Sequence, residues 1–178
     1  MCYVVQQQAH GLCDAIFASR HLIAKDDQVI VGLPDTIWFP ENALCALPDN
    51  EFSFLLFPSA QPHLFDAVVT NQQDLVTQIR VKQPGPADSW IWGAFKLPGE
   101  IFHTLFTLWE STGRCHEFIG TLVAHFLAGG GRARGIRAGS SYVDVGTLNG
   151  YRKAIELLSE RQPPHPHPQP EQSSWSKP

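Results

Sequence analysis

Short apolar runs alternate with polar, turn-forming segments along most of the chain. Runs of β-branched and aromatic residues predict strands, and apolar residues recurring every three or four positions predict helices. Strands are predicted at 2–5, 29–31, 52–57, twice within 63–82 around a turn at 71–74, and at 90–95. Helices are predicted at 12–23, 41–47, 98–109, 116–127 and 147–158. Such alternation indicates an α/β domain, with helices layered on a sheet.

Two of these strands are expected to be buried. The run Val29-Ile30-Val31 is too uniformly apolar for a surface strand, so we expect a buried and parallel one. Trp90, Trp92 and Phe95 are most simply core residues, with a ring lining a sugar site as the weaker alternative.

Glycine and threonine residues mark the bounds of the last two helices. The run Gly129-Gly130-Gly131 follows a helix and lacks the spacing of a phosphate-binding loop, so it predicts a helix end. Thr147 is a suitable N-cap for the final helix. Between them, three arginines alternate with small and apolar residues, which favours the solvated face of an edge strand: Arg132, Arg134 and Arg137.

Size and charge narrow the class of protein. The 178 residues suit one domain with a sizeable core. Thirteen basic against 17 acidic residues leave a net charge of −4, which favours neither a nucleic-acid surface nor a polybasic membrane anchor. The four cysteines show no metal-ligand spacing, and no apolar run reaches membrane-spanning length. We therefore expect a cytoplasmic protein that binds neither nucleic acid nor membrane.

The composition changes near residue 160. From there the chain is rich in Pro, His, Gln and Ser, which predicts a disordered tail at 160–178 after a domain at 1–159. In that tail, His165 and His167 could bind an adventitious metal ion.

Two distant aspartates each follow an apolar run. Asp35 lies in Gly32-Leu33-Pro34-Asp35-Thr36, and Asp144 lies in Tyr142-Val143-Asp144-Val145-Gly146-Thr147. If the fold brings them together, two carboxylates could hold Mg²⁺, which completes its shell with water and substrate phosphates. The alternatives are a turn or cap role for Asp35 and a favourable interaction of Asp144 with the next helix dipole.

Several segments together resemble the sugar-1-phosphate nucleotidyltransferases, in particular the glucose-1-phosphate thymidylyltransferases. The opening Tyr3-Val4-Val5-Gln6 and Gly11-Leu12-Cys13-Asp14-Ala15 resemble that family's YxVQxxxxGLxxA segment. The resemblance implies that Gln6 reads a pyrimidine base and that the Gly11 backbone supports it.

Later segments extend this resemblance to about Leu158. The segment around Asp35 is similar to the family strand that ends in a metal-binding aspartate, and 142–151 is similar to the [WY]xDxGT segment with the second one. The resemblance thus implies Mg²⁺ bound by Asp35 and Asp144. It further implies that Lys82, in a segment similar to EKP, contacts the sugar phosphate, and that Gly93 lies in a strand beside the sugar.

The chain departs from the family pattern at three places. Val81 and Gln83 flank Lys82 where the family has Glu and Pro, and Phe65-Asp66-Ala67 replaces a Tyr-Gly pair. The family's GGxGTRL loop, which wraps the triphosphate, has no counterpart in the sequence. We therefore expect a Rossmann-like nucleotidyltransferase fold that is truncated at its N-terminus.

The implied reaction joins a nucleoside triphosphate, dTTP or UTP, to a sugar 1-phosphate and releases pyrophosphate, with turnover severely impaired in this chain. Two alternatives stay open. One is a non-catalytic module that binds nucleotide or sugar phosphate, and the other is an interaction protein, including a homo-oligomer, that uses an exposed sheet edge.

Overall fold

The structure is a computed structural model that describes residues 1–8, 10–86 and 89–161. The strands are β1 Gln28–Gly32, β2 Thr36–Phe39, β3 Ser53–Ser59, β4 Asp66–Thr70, β5 Val76–Val81, β6 Ser89–Pro98, β7 Arg134–Ile136 and β8 Ser141–Asp144. The main sheet has six strands in the order β5-β4-β6-β3-β7, with β1 also paired to β6. A separate two-stranded sheet joins β2 and β8.

Strand β6 organises the main sheet because it is long enough to serve three neighbours. One of its edges pairs antiparallel with β3 over most of its length. Its other edge pairs with β4 near Ile91 and with β1 from Ala94 to Pro98. Strand β7 is the exception to the antiparallel pattern, since it runs parallel to β3.

Three helices cover one face of this sheet and bury a large aromatic cluster: α1 Leu12–Phe17, α2 Gly99–Ser111 and α3 Ile119–Ala128. Helix α4 Leu148–Arg161 packs against β8 instead. In α2 the buried Phe102, Leu105 and Trp109 recur at helical spacing, which turns one stripe of the helix towards the sheet. Phe17 of α1 inserts between α2 side chains, with its ring centroid 5.3 Å from both Phe102 and Trp109.

Most of the predicted elements are present. The strands predicted at 52–57 and 90–95 and the hairpin within 63–82 are confirmed, as is the core position of Trp92 and Phe95. Helix α3 ends at Ala128 as the glycine run predicted, and α4 continues to Arg161, past its predicted end. Strand β7 lies at the edge of the sheet, as predicted. Arg134 in this strand forms a surface ion pair with Glu51, and Arg137, just after it, forms one with Asp74.

Helix predictions near the N-terminus were too long. The predicted helix at 12–23 ends at Phe17 and is followed by a 3₁₀ turn, Arg20–Leu22. The segment predicted as a helix at 41–47 is only a 3₁₀ turn, Ala43–Ala46.

Two strand predictions were wrong. Residues 2–5 form no strand, and Tyr3 and Val5 are exposed, because no described strand pairs with this segment. Strand β1 is antiparallel to β6 and only half-buried, with Ile30 52% exposed. A run of β-branched residues is favourable in any strand, so it does not distinguish an edge position from an interior one.

The remaining predictions concern the tail and membrane insertion. Most of the tail predicted as disordered lies outside the described residues, and 160–161 belong to α4. Within the described ranges, no helix has the length and apolar character needed to cross a membrane.

We expect Phe17→Ala to lower the free energy of unfolding by about 3–5 kcal/mol, because it removes a buried ring from the centre of the α1–α2 contact. Phe17 is 1% exposed. Denaturant unfolding measures the change, and Phe17→Leu, which retains much of the apolar volume, should cost clearly less. Equal losses for both variants would contradict this account of the core.

Candidate functional site

The β2–β8 ladder brings Asp35 and Asp144 together. Thr36, the first residue of β2, pairs with Asp144, the last residue of β8. The backbone N–H of Val145 donates to the carbonyl oxygen of Asp35 at 2.8 Å, which closes the end of the ladder. Two residues that are more than a hundred positions apart in the sequence therefore lie side by side.

Gly146 leaves the space into which both carboxylates point. A Cβ atom added to Gly146 would lie 2.8 Å from Oδ2 of Asp35 and 3.0 Å from Oδ1 of Asp144. The N–H of Gly146 also donates to Oδ1 of Asp144 at 2.8 Å, which orients that carboxylate. The two carboxylates therefore face one small volume.

This arrangement fits a hard divalent cation that has few protein ligands. Mg²⁺ is commonly held by one or two carboxylates, with water and substrate phosphates in the other positions. Among the described residues there is no group of three or more His, Cys, Asp or Glu side chains that could hold a metal ion. The pair suits a cation that arrives with a phosphate ligand better than a permanently bound structural metal.

Helix α4 begins immediately after the carboxylate pair. Its N-cap is Thr147, whose Oγ1 accepts a hydrogen bond from the N–H of Gly150 at 3.0 Å, as predicted from the sequence. A Cβ atom on Gly150 would collide with the carbonyl oxygen of Asp144. Glycine at this position lets the first turn of α4 pack directly against the end of β8.

A cleft of about 670 Å³ opens beside the pair. One wall consists of Thr147, the N-cap of α4, with Gly150 and Lys153 of the helix itself. Asp144 also lines the cleft. The opposite wall comes from the segment after β3 and includes Gln61 and Phe65. The Lys153 ammonium group and the Asp144 carboxylate thus border one cleft, as the binding of a phosphate together with a cation would require.

Tyr142 forms the apolar floor of the cleft. Its ring centroid lies 5.3 Å from that of Phe57 and 5.7 Å from that of Phe65. Burial, followed by the nearby charge of Asp144, raises the pKa of Tyr142 far above its usual range, with Asp35 contributing in the same direction. The phenol stays neutral and adds no charge to the site.

Gly93 lies behind this floor. A Cβ atom there would lie 2.6 Å from the Phe57 ring and 2.7 Å from the Tyr142 ring. The lack of a side chain lets both rings pack onto β6, so Gly93 shapes the cleft from beneath. Direct contact between Gly93 and a sugar stays a prediction.

Lys82 is close to the cleft but does not line it. The backbone N–H of Lys82 donates to the carbonyl oxygen of Phe65 at 3.1 Å, so the Lys82 backbone adjoins the cleft wall. Its ammonium group, however, lies 4.5 Å from the ring centre of Phe118. The nearby carboxylate is that of Asp66, not those of the Asp35–Asp144 pair.

Asp66 is a buried carboxylate that the sequence analysis did not select as a site residue. It is 9% exposed at the start of β4. Burial raises its pKa, while a hydrogen bond from the Trp92 side chain and the charge of Lys82 act in the opposite direction. It also fills the space next to Gly120, where an added Cβ would lie 2.5 Å from its Oδ2.

Gln6 and Asp14 line a second cleft, of about 420 Å³. The Gln6 amide donates to Oδ2 of Asp14 at 2.6 Å and to the carbonyl oxygen of Gly11 at 3.4 Å. Gly11 has a φ of +91°, a conformation that favours glycine, and packs against Glu117. The two segments identified by the resemblance thus fold onto each other, away from the Asp35–Asp144 cleft.

Lys153 is the other site residue that sequence reasoning missed. It lies on the same side of α4 as Asn149 and Gly150, which also line the cleft, and this follows from helical spacing once Thr147 is taken as the N-cap. The signal was present in the sequence. A lysine near the start of a helix, however, is ordinarily a solvated surface residue.

Solved structures with the same fold include proteins described as nucleotidyltransferases. A protein described as a glucose-1-phosphate thymidylyltransferase from Bacillus anthracis, solved with sucrose, matches with a TM-score of 0.67 at 21% identity over 88% of this chain and 64% of that one. The inositol-1-phosphate CTP transferase from T. maritima matches with a TM-score of 0.68 at 13% sequence identity. The match covers 88% of this chain and 64% of that one. UTP-bound UGPase from Acinetobacter baumannii matches with a TM-score of 0.64 at 19% sequence identity. The match covers 90% of this chain and 60% of that one.

These matches show the fold and no more, because every identity is below 25%. The chain has the layered α/β fold of the sugar-1-phosphate nucleotidyltransferases, as the sequence resemblance implied. It spans 64% of the length of the first two matched structures. No known protein-family profile and no curated protein sequence matches the chain.

We expect Gly146→Ala to weaken divalent-cation binding by tenfold or more, because the new methyl group fills the space between the two carboxylates. Mn²⁺ titration followed by electron paramagnetic resonance measures the affinity. Gly32→Ala is the matched control, since a Cβ there would meet only Trp38, at 3.6 Å. Equal Mn²⁺ affinity in the two variants would argue against a cation at this position.

We expect Asp66→Asn to raise the melting temperature at pH 7 but not below pH 4. The folded-state pKa of Asp66 lies above the ordinary value of 3.8, so stability is lost as pH rises from about 3.8 through the folded pKa. The asparagine variant has no carboxylate to ionise and avoids that loss. Thermal melts from pH 3.5 to 7.5 test this, with the exposed Asp26→Asn as control; a pH-independent difference would contradict it.

Proposed function

We propose that this chain carries the cation and sugar-phosphate part of a nucleotidyltransferase site. The observation that supports this most strongly is the placement of Asp35 and Asp144 around Gly146, beside a cleft bordered by Lys153. The proposed reaction transfers a nucleotidyl group from dTTP or UTP to a sugar 1-phosphate and releases pyrophosphate.

The residues of the chain would divide this task between them. Asp35 and Asp144 would hold Mg²⁺, which when bound would neutralise phosphate charge. Tyr142 gives the cleft an apolar floor over Gly93, suited to one face of a sugar ring, and its neutral phenol adds no repulsion to an approaching phosphate. No covalent nucleophile is needed, because the reaction requires positioning and charge neutralisation.

Two lysines are candidates for the sugar phosphate. The resemblance assigns this contact to Lys82, whose ammonium group lies on the Phe118 ring. Lys153 has the advantage of lining the same cleft as Asp144. We propose Lys153 as the main contact in this chain and retain Lys82 as the alternative, which would have to leave Phe118 to reach the ligand.

The base contact proposed for Gln6 and Gly11 would also need a rearrangement. The Gln6 amide already donates to Asp14, so a base would have to displace that hydrogen bond. This engagement of Gln6 favours a second candidate function. That candidate is a module that binds sugar phosphate without catalysing transfer.

Calorimetric titration of glucose 1-phosphate, with and without Mg²⁺, tests the site. We expect Mg²⁺ to strengthen binding and Lys153→Ala to weaken it by about 10–100-fold, since a charge-assisted hydrogen bond contributes about 1.5–3 kcal/mol. Arg152→Ala is the matched control, because Arg152 lies on α4 but does not line the cleft. If Lys82→Ala lowers the affinity for glucose 1-phosphate and Lys153→Ala does not, Lys82 is the phosphate contact. If neither variant lowers that affinity, the proposed site is contradicted.

A pyrophosphate-release assay with dTTP or UTP and glucose 1-phosphate separates the two candidate functions. We expect Mg²⁺-dependent binding with turnover severely reduced, since each preorganised donor missing from such a site commonly costs on the order of 10²–10³ in rate. Robust turnover would contradict the impairment, and binding with no turnover would favour the module.

A further inference from the structure

Two histidines face each other on the side of the molecule that carries α2 and α3. His116 lies in the segment between these helices, and His125 lies in the last turn of α3. Nε2 of His116 is 3.4 Å from Nδ1 of His125, and the ring planes meet at 58°. Neither residue lines the Asp35–Asp144 cleft or the Gln6 cleft.

Thr121 fixes the tautomer of His116. The hydroxyl of Thr121 donates its one hydrogen to the carbonyl oxygen of Phe118 at 2.8 Å. It must therefore accept from Nδ1–H of His116, which is 3.2 Å away. The proton of the neutral ring is then on Nδ1, and the lone pair on Nε2 points to His125.

Trp109 holds the backbone of His116 in place, because its Nε1–H donates to the His116 carbonyl oxygen at 3.0 Å. Together with Thr121, this contact fixes both the backbone and the ring of His116. Metal-binding histidines commonly have this arrangement, with the second ring nitrogen donating to a fixed acceptor.

The separation of the two nitrogens matches shared coordination. It is longer than an ordinary hydrogen bond, whose donor–acceptor distance is about 2.7–3.2 Å. Two imidazole nitrogens in tetrahedral positions around Zn²⁺, each at about 2.0–2.1 Å, would be about 3.4 Å apart. His125 is exposed, so its ring can carry its proton on Nε2 and offer Nδ1 to a metal.

We propose that His116 and His125 bind a divalent transition-metal ion of the Zn²⁺, Ni²⁺ and Cu²⁺ class through Nε2 and Nδ1 respectively. In the described part of the chain no third His, Cys, Asp or Glu side chain joins this pair, so water completes the coordination shell. The ion is therefore exchangeable, and imidazole ligands select it against Mg²⁺.

Metal at this position would connect α3 to the start of α1. The residue after His116, Glu117, accepts hydrogen bonds through its carbonyl oxygen from the N–H groups of Leu12 and Cys13, at 3.1 and 3.3 Å. Glu117 also packs against Gly11. Fixing His116 to His125 thus restrains the segment that positions Gly11, so bound metal should stabilise this region.

Calorimetric titration with Ni²⁺ tests the site. The tail histidines His165 and His167 are first replaced by alanine. In excess Mg²⁺, which competes for the Asp35–Asp144 pair, this full-length parent protein should bind one Ni²⁺. His116→Gln and His125→Ala should each abolish the binding. We expect the melting temperature of the parent to rise by on the order of 5–10 °C at free Ni²⁺ about 100 times Kd.

Matched variants separate ligation from a general effect on folding. His21→Ala and Cys115→Ser should leave Ni²⁺ affinity unchanged, since neither residue belongs to the pair. Thr121→Val should weaken binding by about 10–100-fold, because it removes the acceptor that orients His116. Circular dichroism checks that each variant is folded.

Spectroscopy identifies the ligating atoms directly. In ¹⁵N-edited spectra with Zn²⁺, the Nε2 resonance of His116 and the Nδ1 resonance of His125 should shift together at one equivalent. Unchanged Ni²⁺ binding in folded His116→Gln and His125→Ala, or no saturable binding to the parent, would overturn the proposal and leave the pair as a hydrogen bond between neutral rings.

Discussion

The pairing of β2 with β8 is the constraint on which the candidate site depends. It joins residues around Asp35 to residues around Asp144, and the hydrogen bond from Val145 N–H to the Asp35 carbonyl oxygen fixes how far each strand extends. Because side chains alternate along a strand, a register shift of one residue would turn one carboxylate away from the other. The proposed cation site thus depends on this short ladder, and the ladder packs on the main sheet where the Tyr142 ring contacts Phe57 and Gly93.

The interior elements could be predicted from the sequence because their patterns reflect burial on both faces. Residues 54–57 and 91–95 are almost entirely apolar, and they form the central strands β3 and β6. The helices α2 and α3 follow from apolar spacing, and the glycine run marks the end of α3 correctly. The wrong predictions, for residues 2–5 and for β1, concern which strands lie next to each other, and that information is not local to a segment.

Some residues in and near the candidate site were predicted from the sequence and others were missed. The proximity of Asp35 and Asp144 was expected from the resemblance to a family, because spacing alone left turn and cap roles open for both. Lys153 and Asp66 were missed for opposite reasons. Lysine on a helix is ordinarily solvated, and its place beside a cleft depends on how α4 docks. Asp66 follows a turn, where aspartate is common, and only the packing of Trp92 and Gly120 around it shows that it is buried.

The contact between Gly150 and the Asp144 carbonyl makes the end of β8 and the first turn of α4 a single rigid piece. The length of the backbone between them is fixed, since Thr147 in the same segment also caps the helix. Chain length between 144 and 150 should therefore be invariant among proteins that share this site.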